Sequence, residues 1–315
     1  MTKKKLIKKN NVSQGNTLIK RVKKNAWFYL FMMPAIIYFI VFRYLPMYGI
    51  VIAFKDYNIF KGIAESSWVG LKHFKFIYSL PLFHQVLKNT LVIGFLKILW
   101  TFPTPIILAL MINELRSVKF KRIIQSSIYI PHFISWSVIG GLAYALFSPQ
   151  FGILKSICDA LGLEDPNLLM NVKYFRGLLV GATVWKTAGW GTIIYIAALL
   201  GVDPAIYEAA YVDGANRLTR IIYIALPSIQ SVIFVVLLVN IGNVVNVGFA
   251  SVMALQNPLV FSVSEIIETY VYKNGILAGR FSFTAAVGLF NSVIAFILVM
   301  GTNFIKKKVT GESII

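Results

Sequence analysis

Long apolar runs separated by short polar clusters organise this chain. Runs at residues 26–44, 88–113, 123–147, 174–202, from Pro227 to about 253, and 281–305 each come near the ~20 residues needed to cross a bilayer. Six spans are expected. Residues 45–87 mix aromatic, glycine and lysine positions, and Lys55, Asp56, Lys61 and Glu65 interrupt them before another span can form. They predict an external loop with a short amphipathic helix. Residues 148–173 and 254–280 are read as two further external segments. Pro103 and Pro105 should kink or break the second span, because each lacks the N–H that continues the helical ladder.

One polar interruption, 208–227, differs from the other connections. Asp203 can cap a helix, Pro204 suits its first turn, and Gly214 suits the left-handed residue that ends it. A short helix from Pro204 to Asp213 follows. Beyond it Leu218, Ile221, Ile222 and Ala225 recur at helical spacing, with Arg217 and Arg220 on another face, until Pro227. The pattern predicts a helix–turn–helix at the membrane surface. Ala209 and Ala210 let another backbone approach closely, Tyr207 and Tyr211 stand one turn apart, and Glu208 offers a carboxylate. An ordinary amphipathic cytoplasmic loop would share several of these features.

The full spacing, Glu208-Ala209-Ala210, then Gly214, then Ile224-x-Leu226-Pro227, resembles the EAA loop of binding-protein-dependent ABC importer permeases. Other stretches resemble the oligosaccharide or polysaccharide branch of that family, related to the maltose permease subunits. They include PMYGIVIAFKDYNIFKGI, PHFISWSVIGGL, VWKTAGWGTIIYIAALLGVDPAIYEAAYVDGANR and ETYVYKNGILAGRFSFTAAVGLF, and the likeness extends over nearly the whole chain from Trp27. The resemblance implies an all-α membrane protein of the type I ABC importer (MetI-like) permease fold, with six transmembrane helices and both termini cytoplasmic. Its organisation would be a basic tail (1–25), a permease domain (26–305) containing the coupling loop (203–227), and a C-terminal tail (306–315). It also implies a second homologous permease subunit, two cytoplasmic ATPase subunits and an extracellular substrate-binding lipoprotein. Tyr207, Glu208, Ala209, Ala210, Asp213 and Gly214 would form the ATPase-coupling element. ATP and magnesium would be bound by the partner ATPase, with no cofactor in this chain. The chain departs from the branch after Leu226-Pro227, where Asn240, Asn243 and Asn246 replace mostly apolar or serine-bearing positions.

Composition agrees with residence in a membrane. Hydrophobic residues make up 57% of the 315, and the mean hydropathy is +0.73, too apolar for a soluble globule. The net charge of +19 suggests nucleic acid at first sight, yet the cations cluster beside the apolar runs. Lys3, Lys4, Lys5, Lys8, Lys9, Lys20, Arg21, Lys23 and Lys24 precede the first span, and Arg116, Lys119, Lys121 and Arg122 follow the second. Lys306, Lys307 and Lys308 close the sixth. This distribution places both ends and the 208–227 motif in the cytoplasm of a multi-pass membrane protein, and the resemblance implies that the membrane is a bacterial plasma membrane. The expected surroundings are membrane lipid, and no nucleic acid is called for.

Chemistry-bearing residues are sparse. The single Cys158 excludes an internal disulfide, and His73, His84 and His132 have no acidic or cysteine neighbours at metal-ligand spacing. There is no GxxxxGK[ST] loop and no recognisable nucleophile–histidine signature. Hydrolysis must come from another subunit, and the chain is not expected to be an enzyme. A proton-coupled carrier would carry acids inside its spans, and none falls clearly mid-span on this reading. A membrane enzyme would gather catalytic groups at one face, whereas these acids are scattered. A permease for another solute, such as a polyamine or a phosphate ester, stays open beside an oligosaccharide. For the substrate path the candidates are Trp185, Lys186 and Trp190 in the fourth span and Asn240, Asn243 and Asn246 in the fifth. Aromatic faces suit sugar C–H surfaces, and amides suit hydroxyls. The same residues also suit helix–helix packing or an interfacial belt, so both readings stand at this point. Lys97 and Arg43 are read as snorkelling near span ends.

Overall fold

The computed structural model describes residues 24–310, so nearly all of the basic tail expected at 1–25, and residues 311–315 of the C-terminal tail, lie outside it. The chain divides after Gly70 into two compact units. In the first, helix α1 (Ala26–Phe39) continues through a π turn (Ile40–Tyr44) and a 3-10 stretch (Tyr48–Phe54). Its apolar side chains are exposed almost throughout, as befits a helix facing lipid or protein rather than water. The helix therefore runs ten residues further than the expected span. Two short strands follow, β1 (Lys55–Asp56) and β2 (Ser67–Trp68), paired antiparallel with Lys55 opposite Trp68. Phe54 stacks on Trp68 at 5.8 Å. The Lys55 ammonium donates to the Ile63 carbonyl (2.6 Å) at the end of the intervening helical turn.

The second unit is helical. Helix α2 (Lys72–Ser79) leads to α3 (Pro81–Thr101) and α4 (Pro103–Asn113). Pro103 lacks the N–H that would continue the ladder, yet Phe102 N still reaches the Ile98 carbonyl (3.0 Å) and Pro81–Asn113 is one apolar helical stretch of 33 residues. Next come α5 (Val118–Phe133), α6 (Trp136–Phe147), α7 (Ile153–Ala160) and α8 (Val172–Leu199). Helix α9 (Pro204–Val212) and α10 (Arg217–Arg220) flank the left-handed Gly214. After α10 the chain passes through a π turn and Leu226–Ser228 into α11 (Gln230–Gly242). Helices α12 (Phe249–Leu255), α13 (Phe261–Ser264) and α14 (Ile267–Val271) precede the long α15 (Phe281–Thr310).

Ala26–Phe54, Pro81–Asn113 and Phe281–Phe304 are each long and apolar enough to cross a bilayer. Three further pairs meet that test only together: α5 with α6, bent by 98°; α8 with α9, bent by 81°; and Arg217–Ser228 with α11, bent by 66°. The third and fifth apolar runs are thus not continuous helices. The third breaks at Ile134–Ser135, where Ser135 caps α6 by accepting from Val138 N (3.3 Å). The fifth unwinds from Asn243 to Gly248.

Residues 254–280, expected as an external segment, pack against the helices of the second unit. Val260, Ser264, Ile266, Ile267 and Thr269 are buried. Their polar backbone is satisfied by side chains of other helices, which is what allows irregular chain beside apolar helices. Asn89 donates to the Ser262 and Glu265 carbonyls (both 3.1 Å), Arg176 to the Val263 carbonyl (3.2 Å), and the Thr90 hydroxyl accepts from Ile267 N (2.9 Å). Lys273 pairs with Glu265 at 2.9 Å.

Helix α8 is the central element and packs on α3, α4 and α5. Close approach depends on glycine: a Cβ at Gly189 would lie 1.8 Å from the Ile128 carbonyl oxygen of α5. Among the described residues, two apolar clusters bear on the site. One joins Ile93, Leu179, Val247 and Val252; the other joins Ile106, Leu199, Ala225 and Ile229. On the α3–α4 run, on α8 and along the chain from Ala225 to Val252, one cluster lies toward each end. The residues between them line a cavity.

Candidate functional site

The cavity has a volume of about 450 Å³. Helix α8 contributes Thr183, Thr187, Trp190 and Ile194, which recur at helical spacing and so share one face. The Trp190 ring stacks on His132 with centroids 4.5 Å apart and planes 6° from parallel, giving an extended flat surface. His132 stands at the C-terminal end of α5 because the chain breaks just beyond it. Lys186, one turn before Trp190, donates to the His132 carbonyl (2.7 Å) and also to that of Ile134. A cation on carbonyls freed at a helix C-terminus is favourable both as hydrogen bond and against the helix dipole. Lys186 therefore holds the bend, and the bend places the aromatic pair.

Asn240, Asn243 and Asn246 also line the cavity. Asn240 and Asn243 each donate to the carbonyl one turn back (2.8 and 2.9 Å), and their side-chain oxygens carry no intramolecular bond among those described. Asn246 lies on the unwound stretch and accepts from Asn291 of α15 (3.3 Å). The expected regular face of a continuous helix is replaced by one helical turn plus irregular chain. The His132 Nδ1 and the buried Tyr195 hydroxyl, both on cavity residues, have no partner among the described residues. Buried polar groups normally find partners, so these atoms suit a polar solute or water.

Trp185 is not part of this wall. It lies roughly 140° around α8 from Trp190, is half exposed, and borders an apolar groove with Trp100, Gly177 and Gly181. Lys97, expected to snorkel near a span end, is 8% exposed, lines the cavity, and donates to the Val247 carbonyl (2.7 Å) and Ser251 Oγ (2.9 Å). Glu268, assigned from sequence to an external segment, brings a carboxylate to the same place and accepts from Gly248 N (2.9 Å). An ionisable residue inside an apolar run is costly, roughly 2.5–3.5 kcal/mol on insertion scales, and that cost was the available signal for Lys97. His132 and Asn291 carried no comparable signal. Arg43 is exposed.

At the other end of α8, Asp203 caps α9 by accepting from Ala205 N (2.9 Å), with Pro204 in the first turn. Gly214, at φ +77°, closes it: Ala215 N reaches the Ala210 carbonyl (2.9 Å) and Gly214 N the Tyr211 carbonyl (3.1 Å), a Schellman closure. Asn216 then caps α10 by accepting from Thr219 N (2.8 Å). Arg220 pairs with Glu114 beyond α4 at 2.9 Å, with both side chains largely buried. Tyr207 packs on the second apolar cluster, where burial, aided by the nearby Glu114 carboxylate, pushes its phenol above the usual tyrosine range. Glu208, Ala209, Asp213 and Gly214 are exposed, Ala210 partly so, and Tyr211 is 65% exposed and Val212 84%. A pinned helix thus presents small, acidic and apolar side chains outward.

Residues 101–310 match the family described as binding-protein-dependent transport system inner membrane component. The chain belongs to this family. It is an inner-membrane permease subunit of an ABC transport system, and the family is one of transport permeases, not enzymes. Protein LplB of Bacillus subtilis (strain 168) is 42% identical over 96% of this chain and 95% of its own length. The polygalacturonan/rhamnogalacturonan transport system permease protein YteP of the same organism is 46% identical over 94% and 92%. A bacterial alginate ABC transporter, crystallised with an alginate pentasaccharide-bound periplasmic protein, has a chain of the same fold. That chain has TM-score 0.84 and 34% identity, over 94% of this permease and 99% of its own length.

Proposed function

We propose that this permease forms half of the translocation path of an ATP-driven importer for an oligosaccharide. The six apolar runs, the third and fifth of them broken, cross the membrane with both termini cytoplasmic, which fits the Lys and Arg clusters beside them. A second homologous permease supplies the other half, an extracellular binding lipoprotein delivers the sugar, and two cytoplasmic ATPase subunits bind ATP and magnesium. The observation that carries the reading is the cavity between the two apolar clusters, lined by both a flat His132–Trp190 surface and three asparagines. Pyranose rings present apolar C–H faces and rims of hydroxyls, and such a wall matches both. The substrates named for relatives, polygalacturonan/rhamnogalacturonan and alginate, support the sugar class.

Coupling runs through α9. Tyr207, Glu208, Ala209, Ala210, Asp213 and Gly214 form a capped helix and its closing turn, joined to the cavity by α8, and the α10 that follows is tied to Glu114 beyond α4 through Arg220. Motion of α9 would be passed to the cavity walls through packed helices rather than through a flexible loop. The test is ATPase activity of the reconstituted complex with its binding protein. Oligosaccharides should stimulate hydrolysis; stimulation by a phosphate ester or a polyamine and by no sugar would overturn the substrate class.

A further inference from the structure

One peptide group in the cavity wall is held at both ends by charges of opposite sign, Lys97 buried and Glu268 partly buried. The Lys97 ammonium donates to the Val247 carbonyl (2.7 Å), and the Glu268 carboxylate accepts from Gly248 N (2.9 Å). That carbonyl and that N–H belong to the same peptide plane. The cation therefore holds the oxygen end of its dipole and the anion the hydrogen end. Lys97 and Glu268 also attract each other across it. Ser251, 2% exposed, accepts from Lys97 (2.9 Å) and donates to the Gly248 carbonyl (2.7 Å), closing the ring of contacts. Gly248 itself sits at φ +102°, a conformation that a side chain would strain.

This peptide ends the unwound stretch that begins at Asn243, so its place decides where Asn243 and Asn246 stand. Helix α3 meets the stretch at two points on one face. At Gly94 a Cβ would lie 2.0 Å from the Val244 carbonyl oxygen, and one turn later Lys97 makes its bonds. A single neutral side chain could satisfy one end of a peptide group. A charge pair withdrawn from water is costly to desolvate, and removing one member leaves the other uncompensated.

We propose that Lys97 and Glu268 are positioning residues that clamp the Val247–Gly248 peptide and thereby set the asparagine wall of the cavity. The consequence for transport rests on the reading of the cavity as the solute path; the clamp itself does not. The test uses the complete transporter complex with Cys158→Ser and Val245→Cys, since Val245 is fully buried beside the clamp. Lys97→Met should speed N-ethylmaleimide labelling of that cysteine at least tenfold and raise the sugar concentration for half-maximal uptake. Lys97→Met with Glu268→Gln should lie nearer wild type on both readouts, because no lone charge is left buried and the glutamine oxygen still accepts from Gly248. Labelling within twofold of wild type in Lys97→Met, or a double variant worse than the single, overturns the clamp. If Lys97→Met fails to assemble, recovery of assembly in the double variant is the expected result, and its failure overturns the proposal. Faster labelling with unchanged uptake has two meanings. If Asn243→Leu/Asn246→Leu still abolishes uptake, the clamp does not set the wall; if that variant also transports normally, the clamp stands and the reading of the path fails.

Discussion

Two tryptophans five residues apart on α8 separate the roles that their composition cannot. Trp190 stacks on His132 in the cavity, whereas Trp185 borders a groove on another side of the helix. Trp190→Ala removes half of the flat surface, and an aromatic contact of ~0.5–1.5 kcal/mol corresponds to roughly 2- to 13-fold in affinity. Half-maximal uptake should shift upward by about that factor in Trp190→Ala and stay within twofold in Trp185→Ala; equal effects would remove Trp190 from the path. Gly94→Ala probes the neighbouring wall. Its methyl would meet backbone, which cannot rotate away, so the unwound stretch must move, with overpacking costs of about 1–3 kcal/mol. Assembled complexes with Gly94→Ala should import at least tenfold more slowly, and normal uptake would show that the stretch is free to shift. Neither the aromatic pairing nor this close approach can be read from the chain itself, because each partner lies more than fifty residues away.

Elements closed by their neighbours in sequence are the ones whose ends were legible. Helix α9 begins and stops where Asp203, Pro204 and Gly214 require, since capping bonds reach only a few residues. The breaks at Ile134–Ser135 and at 243–248 were not legible. They depend on Lys186, more than fifty residues from the carbonyls it holds, and on Lys97, 150 residues from Val247. A hydropathy run cannot distinguish a straight span from a bent one when the compensating charge sits on another helix. At α9 the consequence is specific. Gly214→Val forces a β-branched residue into φ +77° and misdirects α10, while Glu208→Lys reverses the one exposed charge in the middle of the helix. Both variants should reach the membrane yet retain less ATPase subunit on purification and show no substrate-stimulated hydrolysis. Full ATPase content with normal stimulation in both would contradict a coupling role for α9.

Across the whole molecule, orientation and path are joined, because the cations beside the spans, the exposed face of α9 and the cavity must be ordered across one membrane. A cysteine at Ser13 should react with an impermeant maleimide only from the cytoplasm. Native Cys158 is buried, so the outer reporter is better placed at exposed Asp159, as Asp159→Cys with Cys158→Ser, and should react only from outside. Reversed labelling would put α9 on the wrong side for an ATPase. The claim that everything else serves is that the solute passes Asn243 and Asn246. Uptake of a labelled transported oligosaccharide into proteoliposomes bearing the complete complex, with binding protein and ATP, measures this directly. The Asn243→Leu/Asn246→Leu variant should assemble with a full complement of subunits and lose at least nine-tenths of its uptake. Wild-type uptake in that variant would return the asparagines to helix packing and contradict the account.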